Sequence, residues 1–233
     1  MNHKERIAAR VAQELKDGDV VNLGIGIPTM VVDFLPTDMH VFVHSENGIL
    51  GVGPTPMPDK IDKDLVNAGK LPVTVLTGAS YFDSAASFAM IRGGHVDVSI
   101  LGVLQVDEQG RIANWAVPGK SVLGVGGAMD LLEGSQKVIV ATTHNTKDGQ
   151  PKLVKKASYP LTSMRKADVI VTELAFFEVG EQGLVLKELA PNVTLEEVRE
   201  RTEADFQVDV DWKDKQELGV TKWLLSSTPY ARP

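Results

Sequence analysis

Three short runs of β-branched and other apolar residues constrain the fold more than any other feature of this sequence. They are VDVSIL at 96–101, KVIVAT at 137–142 and DVIVTEL at 168–174. A strand that faces water on one side alternates apolar and polar residues, whereas a strand covered on both faces does not need to alternate. The runs therefore predict strands of a sheet that is buried on both sides.

Segments with helical spacing lie between the predicted strands. Ile7, Val11 and Leu15 recur every fourth residue, and Gly18 is expected to cap this first helix. With the three runs included, the expected strands are 20–23, 40–45, 71–78, 96–106, 136–143 and 166–174. The other expected helices are 29–35, entered through Pro28, 83–94, 127–134 and 194–206, which begins with a Thr194/Glu197 capping box. This alternation predicts an α/β fold with an open, mainly parallel or mixed sheet and helices on both faces.

The length of 233 residues fits one domain, because no Pro/Ser-rich or low-complexity linker interrupts the chain. We expect a single domain over residues 1–207. Residues 208–233 are polar and turn-rich, and they are expected to form a peripheral tail that can be disordered.

Charge and composition exclude several classes of function. A net charge of −7 provides no basic field for nucleic acid, and the absence of cysteine removes disulfides, thiolate zinc sites and cysteine nucleophiles. Of the five histidines only His40 and His44 have i, i+4 spacing, and they fall in a predicted strand, so no metal site is expected. Since neither a signal-peptide apolar region nor a run of eighteen apolar residues occurs, we expect a cytoplasmic protein without a membrane span.

Several familiar motifs are approached but not completed. The third glycine of a dinucleotide fingerprint would fall on Thr29 after GIGIP and on Met129 after GVGGA, so NAD is not expected. VPGKS resembles the end of a P-loop, but the first glycine of that motif would be Asn114. No G-x-S-x-G serine hydrolase motif occurs.

Four loops rich in glycine or small polar residues are expected at strand ends. They are 22–28, 45–53, 68–70 and 124–130. In open α/β sheets, chemistry collects at the carboxyl ends of the strands. Glu46, within the SENG sequence, can act there as a general base or as a nucleophile. It can equally be a turn residue, with Asn47 and Gly48 supplying the left-handed positions of the turn.

An ordered set of motifs resembles the β subunit of the family I CoA-transferases, in particular the bacterial 3-oxoacid and acetate/acetoacetate enzymes. The motifs are VNLGIGIPT (21–29), HSENGILGVGP (44–54), GGHVDVSILG (93–102) and VGGAMDLL (125–132), and the similarity extends over roughly residues 4–205. The resemblance implies the CoA-transferase fold, a Rossmann-type sandwich similar to ribose-phosphate isomerase.

The same resemblance implies roles for individual residues. Glu46 matches the catalytic nucleophile, which forms an acyl-glutamyl anhydride and then a glutamyl-CoA thioester in a ping-pong reaction. Asn22 and Gly127 match the oxyanion and thioester region, and Lys70 matches a lysine near the acyl carboxylate or CoA. The expected CoA-binding residues are Gly24, Gly26, Asn47, Gly124 and Gly126.

The resemblance also implies substrates and a partner. CoA is expected as a substrate, with no permanently bound cofactor, and succinyl-CoA with acetoacetate is the leading substrate pair. Acetate/butyrate-acetoacetate and 3-oxoadipate transferases remain alternatives within the family, and a ligand-sensing domain of the same fold is the alternative outside enzymes. Because the chain resembles one half of the fused members, an α subunit is expected to complete the site, in an αβ or α2β2 assembly.

Overall fold

The structure is a computed structural model that describes residues 1–120, 122, 124–209 and 223. Within these residues, ten strands form one mixed sheet and three short strands form a smaller second sheet. The strands are β1 Val20–Leu23, β2 Phe42–Ser45, β3 Ile49–Val52, β4 Val75–Tyr81, β5 Val98–Leu101, β6 Gln105–Asp107, β7 Ile112–Ala113, β8 Lys137–Ala141, β9 Leu153–Val154, β10 Val169–Val171, β11 Ala175–Gly180, β12 Gly183–Leu189 and β13 Phe206–Val208. The helices are α1 His3–Ala12, α2 Ser84–Arg92, α3 Ala128–Gly134 and α4 Leu195–Arg201, with 3-10 helices at Ile27–Phe34 and Pro58–Lys60.

The large sheet has a parallel centre and antiparallel flanks. Its order is β13-β12-β11-β10-β8-β5-β1-β2-β3-β4. The neighbours from β10 through β8, β5 and β1 to β2 all pair in parallel. Antiparallel pairs extend the sheet through β11 and β12 on one side and through β3 and β4 on the other. The chain leaves β1 toward β2 on one side, while β5 lies on the other side, so a ligand crevice is expected at the carboxyl end of β1.

Hydrophobic cores cover both faces of this sheet. Successive strand residues alternate between them: Ile139 belongs to the core that contains α1, whereas Val138 and Val140 belong to the core that contains residues of α2, α3 and α4. Full burial of each Val or Ile side chain contributes about 1.5–3 kcal/mol. The expected α/β fold with helices on both faces is confirmed, and the buried apolar runs are its central strands.

The first helix is shorter than its apolar spacing indicates. It begins with a capping box between Asn2 and Glu5 and ends at Ala12, where tighter turn hydrogen bonds follow. Leu15 is still buried, so the spacing follows burial beyond the end of the helix. Gly18 is not the helix cap: it has φ +86° in a separate turn, and its N–H donates to the His40 carbonyl oxygen at 2.7 Å.

Two strand predictions were wrong in their bounds. The run 96–106 breaks after Leu101, and the residues from Gln105 onward form β6 of the small sheet. The strand expected over 71–78 lies further along the chain, as β4 at Val75–Tyr81, which among the described strands pairs only with β3 and so forms an edge. Gly78, at φ +87°, gives β4 the irregularity that an edge strand tolerates.

The end of the predicted domain lies close to the last described strand. β13 ends at Val208, one residue beyond the predicted boundary at 207. Of the predicted tail, Val208, Asp209 and Trp223 are described, and Trp223 is buried in the core that contains α1. The rest of 208–233 lies outside the described residues, so the two-part division of the chain stays a prediction.

Candidate active site

Glu46 lies in the tight turn that joins β2 to β3. The Gly48 N–H donates to the Ser45 carbonyl oxygen at 2.9 Å, which closes the turn around Glu46 and Asn47. Gly48 has φ +119°, and a Cβ there would overlap the Phe82 carbonyl oxygen, so this position requires glycine. The turn therefore holds a half-buried Glu46 side chain at the carboxyl end of a parallel strand.

Asn22 brings an amide donor to Glu46 from the neighbouring strand. Parallel pairing of β1 with β2 sets Asn22 opposite His44. The Asn22 Nδ2 donates to Glu46 Oε2 at 3.3 Å. Asn22 is 1% exposed, so this hydrogen bond is sheltered from water. Sheet register thus joins a carboxylate and an amide that lie 24 positions apart in the sequence.

His44 connects Asn22 to helix α2. Its Nδ1 is 3.0 Å from Asn22 Nδ2 and its Nε2 is 3.1 Å from Ser87 Oγ. Because Asn22 Nδ2 can only donate, His44 Nδ1 accepts, and the neutral ring then carries its hydrogen on Nε2 and donates to Ser87. Burial lowers the pKa of His44, against the opposing effect of the Glu46 carboxylate, which favours this neutral form.

Gly127 approaches Glu46 from the other side of the crevice. It is the residue before α3, and a Cβ there would lie 3.5 Å from Glu46 Cγ and 3.2 Å from Phe88 Cζ. The missing side chain leaves room beside the Glu46 carboxylate for a reacting group.

Two cavities meet at Glu46. One has a volume of about 290 Å³ and is lined by residues of β2, the 3-10 helix Ile27–Phe34 and the segment 52–76. The other, of about 530 Å³, runs along the carboxyl ends of β1, β5 and β8 to the start of α3. Glu46, Gly24 and Ile25 line both cavities, so the carboxylate lies in the wall that they share. Such an arrangement lets one carboxylate receive one group from each side.

The long segment between β3 and β4 is fastened to the Glu46 turn. Asn47 Nδ2 donates to the Val66 carbonyl oxygen at 2.8 Å, and the Ala68 N–H donates to Ser45 Oγ at 2.9 Å. Lys70 lies at φ +62° in a turn that Asn67 closes by accepting from the Lys70 N–H. The loop 68–70 was expected at a strand end and is instead part of this segment. Lys70 is exposed and is not among the residues that line either cavity.

The predicted glycines occupy different parts of the site. Gly24 passes close to β5, because its N–H donates to the Ile100 carbonyl oxygen at 2.8 Å and a Cβ would meet that oxygen at 3.1 Å. Gly26 and Gly126 line the larger cavity. Gly124 is exposed and is not among the residues that line either cavity. The structure therefore gathers Glu46, Asn22, Gly24, Gly26, Gly126 and Gly127 around one crevice. Asn47 lies in the turn itself with its side chain hydrogen-bonded to Val66, and Lys70 and Gly124 lie outside the crevice.

Some residues of the site were not predicted from the sequence. His44, the partner of Asn22, and Ser87, the partner of His44, were missed, although His44 lies inside the HSENG motif. Lys152 was also missed: it lines the larger cavity, and its Nζ donates to Thr142 Oγ1 at 2.9 Å. Burial lowers the pKa of Lys152, against the opposing effect of Glu173. A lysine beside a two-residue strand carries no sequence signal, whereas in the cavity it offers a cation to an anionic ligand.

The described residues include no group of three or more His, Asp or Glu side chains placed to hold a metal ion. Among the described helices, none combines the length and the apolar character needed to cross a bilayer.

Comparison with known proteins decides the family. The sequence profile named Coenzyme A transferase matches residues 4–201. The chain belongs to this family. The predicted family resemblance and enzyme class are thereby confirmed, and the ligand-sensing alternative is set aside.

Curated relatives support the same assignment at high identity. The chain is 54% identical over 211 residues to the β subunit of the acetate CoA-transferase of Escherichia coli K12, covering 91% of this chain and 96% of that protein. It is 52% identical over 205 residues to one subunit of the probable succinyl-CoA:3-ketoacid coenzyme A transferase of Bacillus subtilis 168, covering 88% of this chain and 95% of that one.

A solved CoA-transferase shares the fold. The acyl-CoA transferase apoenzyme from Escherichia coli O157:H7 matches with a TM-score of 0.72 at 23% identity. The match covers 90% of this chain and 42% of that longer chain. The CoA-transferase fold is therefore present here in a chain that corresponds to less than half of the longer protein.

Proposed function

We propose that this chain is the Glu46-bearing subunit of a CoA-transferase that moves CoA from succinyl-CoA to a short 3-oxoacid such as acetoacetate. The observation that carries the proposal is the position of Glu46, in the wall shared by two cavities and 3.3 Å from the Asn22 amide nitrogen. A glutamyl carboxyl group that is attacked in turn by the CoA thiolate and by the acceptor carboxylate needs access from two sides. Family membership supports this use of Glu46 over the role of a simple turn residue.

The reaction proceeds by exchange at the Glu46 carboxylate. The carboxylate attacks the thioester carbonyl of the acyl-CoA, which yields a mixed acyl-glutamyl anhydride and the CoA thiolate. The thiolate attacks the glutamyl carbonyl, forms a glutamyl-CoA thioester and releases the first carboxylate. The acceptor carboxylate attacks this thioester, and the released thiolate then attacks the new acyl carbonyl, so that the second acyl-CoA leaves and Glu46 is regenerated. Such a sequence gives ping-pong kinetics.

Each attack develops negative charge on a carbonyl oxygen. The Asn22 amide is the proposed donor to that oxygen, and a preorganised donor of this kind lowers the barrier by about 3 kcal/mol. Gly127 leaves the space in which the tetrahedral centre forms. Gly24, Gly26 and Gly126 are proposed to let the backbone approach CoA. Asn47 and Gly124 are also proposed to contact CoA. Lys70 is proposed to lie near the acyl carboxylate or CoA when the substrate is bound.

A partner subunit is proposed to cover the site. Ile25, which lines both cavities, is 71% exposed, and the cavity residue Leu71 is 52% exposed. Exposed apolar side chains around a site mark an interaction surface. An anhydride intermediate also requires water to be excluded, which the open crevice of one chain does not achieve. An α subunit in an αβ or α2β2 complex provides the second wall, and this chain alone is expected to be inactive.

CoA is proposed to enter as a substrate, with no permanently bound cofactor. The cytoplasm is the proposed location, because acyl-CoA thioesters are made and used there. Residues 1–207 are the proposed domain, which the family match to 4–201 supports, and 208–233 the proposed tail.

Mass spectrometry of the co-expressed complex tests the nucleophile directly. After incubation with succinyl-CoA and proteolysis, the peptide containing Glu46 should carry CoA, and hydroxylamine should remove it. Glu46→Gln should lose the adduct and at least about a thousandfold in kcat, because a nucleophile has no substitute. Glu181→Gln, a change at an exposed carboxylate far along the chain, is the matched control and should retain both. An active wild-type complex without an adduct at Glu46 would contradict the mechanism.

Acceptor specificity needs a separate measurement. The two curated relatives carry different substrate names at nearly equal identity, 54% and 52%, so identity favours neither. Rates with acetoacetate, acetate, butyrate and 3-oxoadipate as acceptors should be highest for acetoacetate with succinyl-CoA as donor. A higher kcat/KM for acetate would assign the chain to the acetate-dependent type instead.

A further inference from the structure

We propose that His44 is a positioning residue for the reaction, because its neutral imidazole accepts one amide hydrogen of Asn22 and thereby directs the other toward Glu46. This inference rests on the proposed roles of Glu46 and Asn22. It adds a function for a buried residue that does not itself touch the substrate.

The geometry leaves the Asn22 amide a single favourable orientation. Its Nδ2 is 3.0 Å from His44 Nδ1 and 3.3 Å from Glu46 Oε2, so its two hydrogens have one acceptor each. Rotating the amide by 180° would place Oδ1 against a carboxylate oxygen and the lone pair of a ring nitrogen, and both contacts are repulsive. Within the described structure, Asn22 Oδ1 is buried without a hydrogen-bond partner, so no protein donor holds the amide by its oxygen. The orientation therefore depends on the acceptor that His44 provides.

Ser87 provides an acceptor for the tautomer in which His44 Nδ1 accepts from Asn22. Its Oγ lies 3.1 Å from His44 Nε2, and Ser87 is fully buried on α2. The ring stacks on Phe82 with its centroid 5.9 Å away and an angle of 11° between the planes. A hydrogen on Nε2 satisfies Ser87 and leaves the Nδ1 lone pair for Asn22. Helix α2 thus sets the direction of an amide on β1 through a ring on β2.

Protonation of His44 would reverse this arrangement. A hydrogen on Nδ1 would face the hydrogens of Asn22 Nδ2, and the amide would have to rotate and turn its carbonyl oxygen toward Glu46. Among the groups around the ring, Glu46 is the charged one, while Asn22 from β1 and Ser87 from α2 are uncharged. Burial opposes the protonated form more than Glu46 favours it, so the pKa of His44 lies below the ordinary histidine value. The donor to the oxyanion therefore stays correctly oriented at neutral pH.

Four variants of the assembled complex test the proposal. His44→Leu removes the acceptor, and His44→Asn keeps an oxygen acceptor near the position of Nδ1 without titrating near neutrality. Ser87→Ala removes the hydrogen-bond partner of His44 Nε2. His40→Asn is the matched control, since His40 is exposed four residues away. For each variant, kcat, KM, the pH profile of kcat/KM and the rate of CoA attachment to Glu46 are measured.

The proposal predicts a specific pattern. His44→Leu should lower kcat and the rate of CoA attachment by about 10- to 100-fold with KM changed by less than about twofold, because an oxyanion donor acts in the transition state. The wild-type profile should show an acid limb below the ordinary histidine range, and His44→Asn should lose this limb while retaining kcat within about threefold. Ser87→Ala should give an intermediate loss of kcat. His40→Asn should match the wild type.

Several outcomes would overturn the proposal. Equal losses of kcat in His44→Leu and His44→Asn would mean that the ring serves packing alone. A wild-type rate in His44→Leu, or an unchanged acid limb in His44→Asn, would also contradict it. If His44→Leu fails to assemble, His44→Asn and Ser87→Ala still decide the matter. Absence of a CoA adduct in the wild type would instead refute the role of Glu46, so the two failures are distinguishable.

Discussion

Glu46 differs from an ordinary turn carboxylate because other parts of the chain surround it. Asn22 donates to it from β1, and Gly127 leaves an open space beside its Cγ from the start of α3. Strand pairing and helix packing, and not the sequence of the turn, bring Asn22 and Gly127 to Glu46. An oriented amide on one side and empty space on another fit the proposed role of Glu46 as a carboxylate that forms and breaks covalent bonds.

A methyl group at Gly127 should impair catalysis more than folding. In Gly127→Ala the new Cβ would lie 3.2 Å from Phe88 Cζ and 3.5 Å from Glu46 Cγ, in the proposed space of the tetrahedral centre. We expect kcat to fall by about tenfold or more while the melting temperature changes little. Gly180→Ala, at the end of β11, is the control, because a Cβ there makes no contact shorter than 3.6 Å. Equal losses of kcat in the two variants would indicate a general effect of replacing a glycine.

At the scale of the element, the β2–β3 hairpin is the unit that presents Glu46. Its turn is closed by Gly48, and the Phe82 N–H donates to the Gly48 carbonyl oxygen at 3.1 Å, just beyond the edge strand β4. The segment between β3 and β4 adds two side-chain hydrogen bonds to the same turn. The hairpin is thus held from two directions, which limits how far Glu46 can move.

Gly48→Ala should damage both stability and activity. The new Cβ would overlap the Phe82 carbonyl oxygen, a backbone atom that cannot move without displacing β4. We expect a loss of about 2–4 kcal/mol in the free energy of unfolding and a large loss of kcat. Gly149→Ala, at φ +79° with nothing within 4 Å, isolates backbone strain and should cost about 1 kcal/mol. Indistinguishable urea midpoints for the two variants would show that contact with Phe82 is unimportant.

At the scale of the whole molecule, the carboxyl edge of the sheet contains a second buried polar network. His144 follows β8, with Nδ1 3.0 Å from Thr172 Oγ1 and Nε2 2.8 Å from Thr202 Oγ1. The backbone N–H of His144 donates to Glu173 Oε2 at 2.8 Å. Burial, assisted by the charge of Arg201, lowers the pKa of His144 to about 3. The network joins the ends of β8, β10 and α4 around a ring that stays neutral.

The free energy of unfolding should therefore decrease as the pH is lowered below neutrality. The unfolded chain protonates His144 near pH 6.5 and the folded chain only near pH 3, so its contribution is complete above about pH 6.5 and is lost as the pH falls toward 3. The expected loss from this residue between pH 8 and pH 5 is about 2 kcal/mol. Urea unfolding at fixed protein concentration should show a flatter pH dependence for His144→Gln than for the wild type. The exposed control His95→Gln should keep the wild-type slope, and an unchanged slope in His144→Gln would contradict the assignment.

Much of the fold and part of the site were accessible from the sequence. Uninterrupted β-branched runs identified the buried central strands, because a strand covered on both faces has no polar alternation. The hairpin β11–β12 was missed, and so was the small sheet of β6, β7 and β9, whose strands of two or three residues are too short to show a periodic pattern. Gly18 and the bounds of β4 were wrong because the hydrogen bonds that set them come from distant residues.

What the sequence determined by itself was the class of fold, since periodicity is a property of neighbouring residues, and the choice of Glu46 as the candidate carboxylate, since the family resemblance rests on short motifs. What only the tertiary structure decided was the surroundings of that carboxylate. Asn22 and His44 meet across 22 positions through strand register, and His44 and Ser87 meet across 43 through packing of α2. Neither contact has a local signature, because sheet order and helix packing are settled by burial of the whole core. The direction of one amide hydrogen, on which the proposed chemistry depends, is therefore a property of the folded molecule.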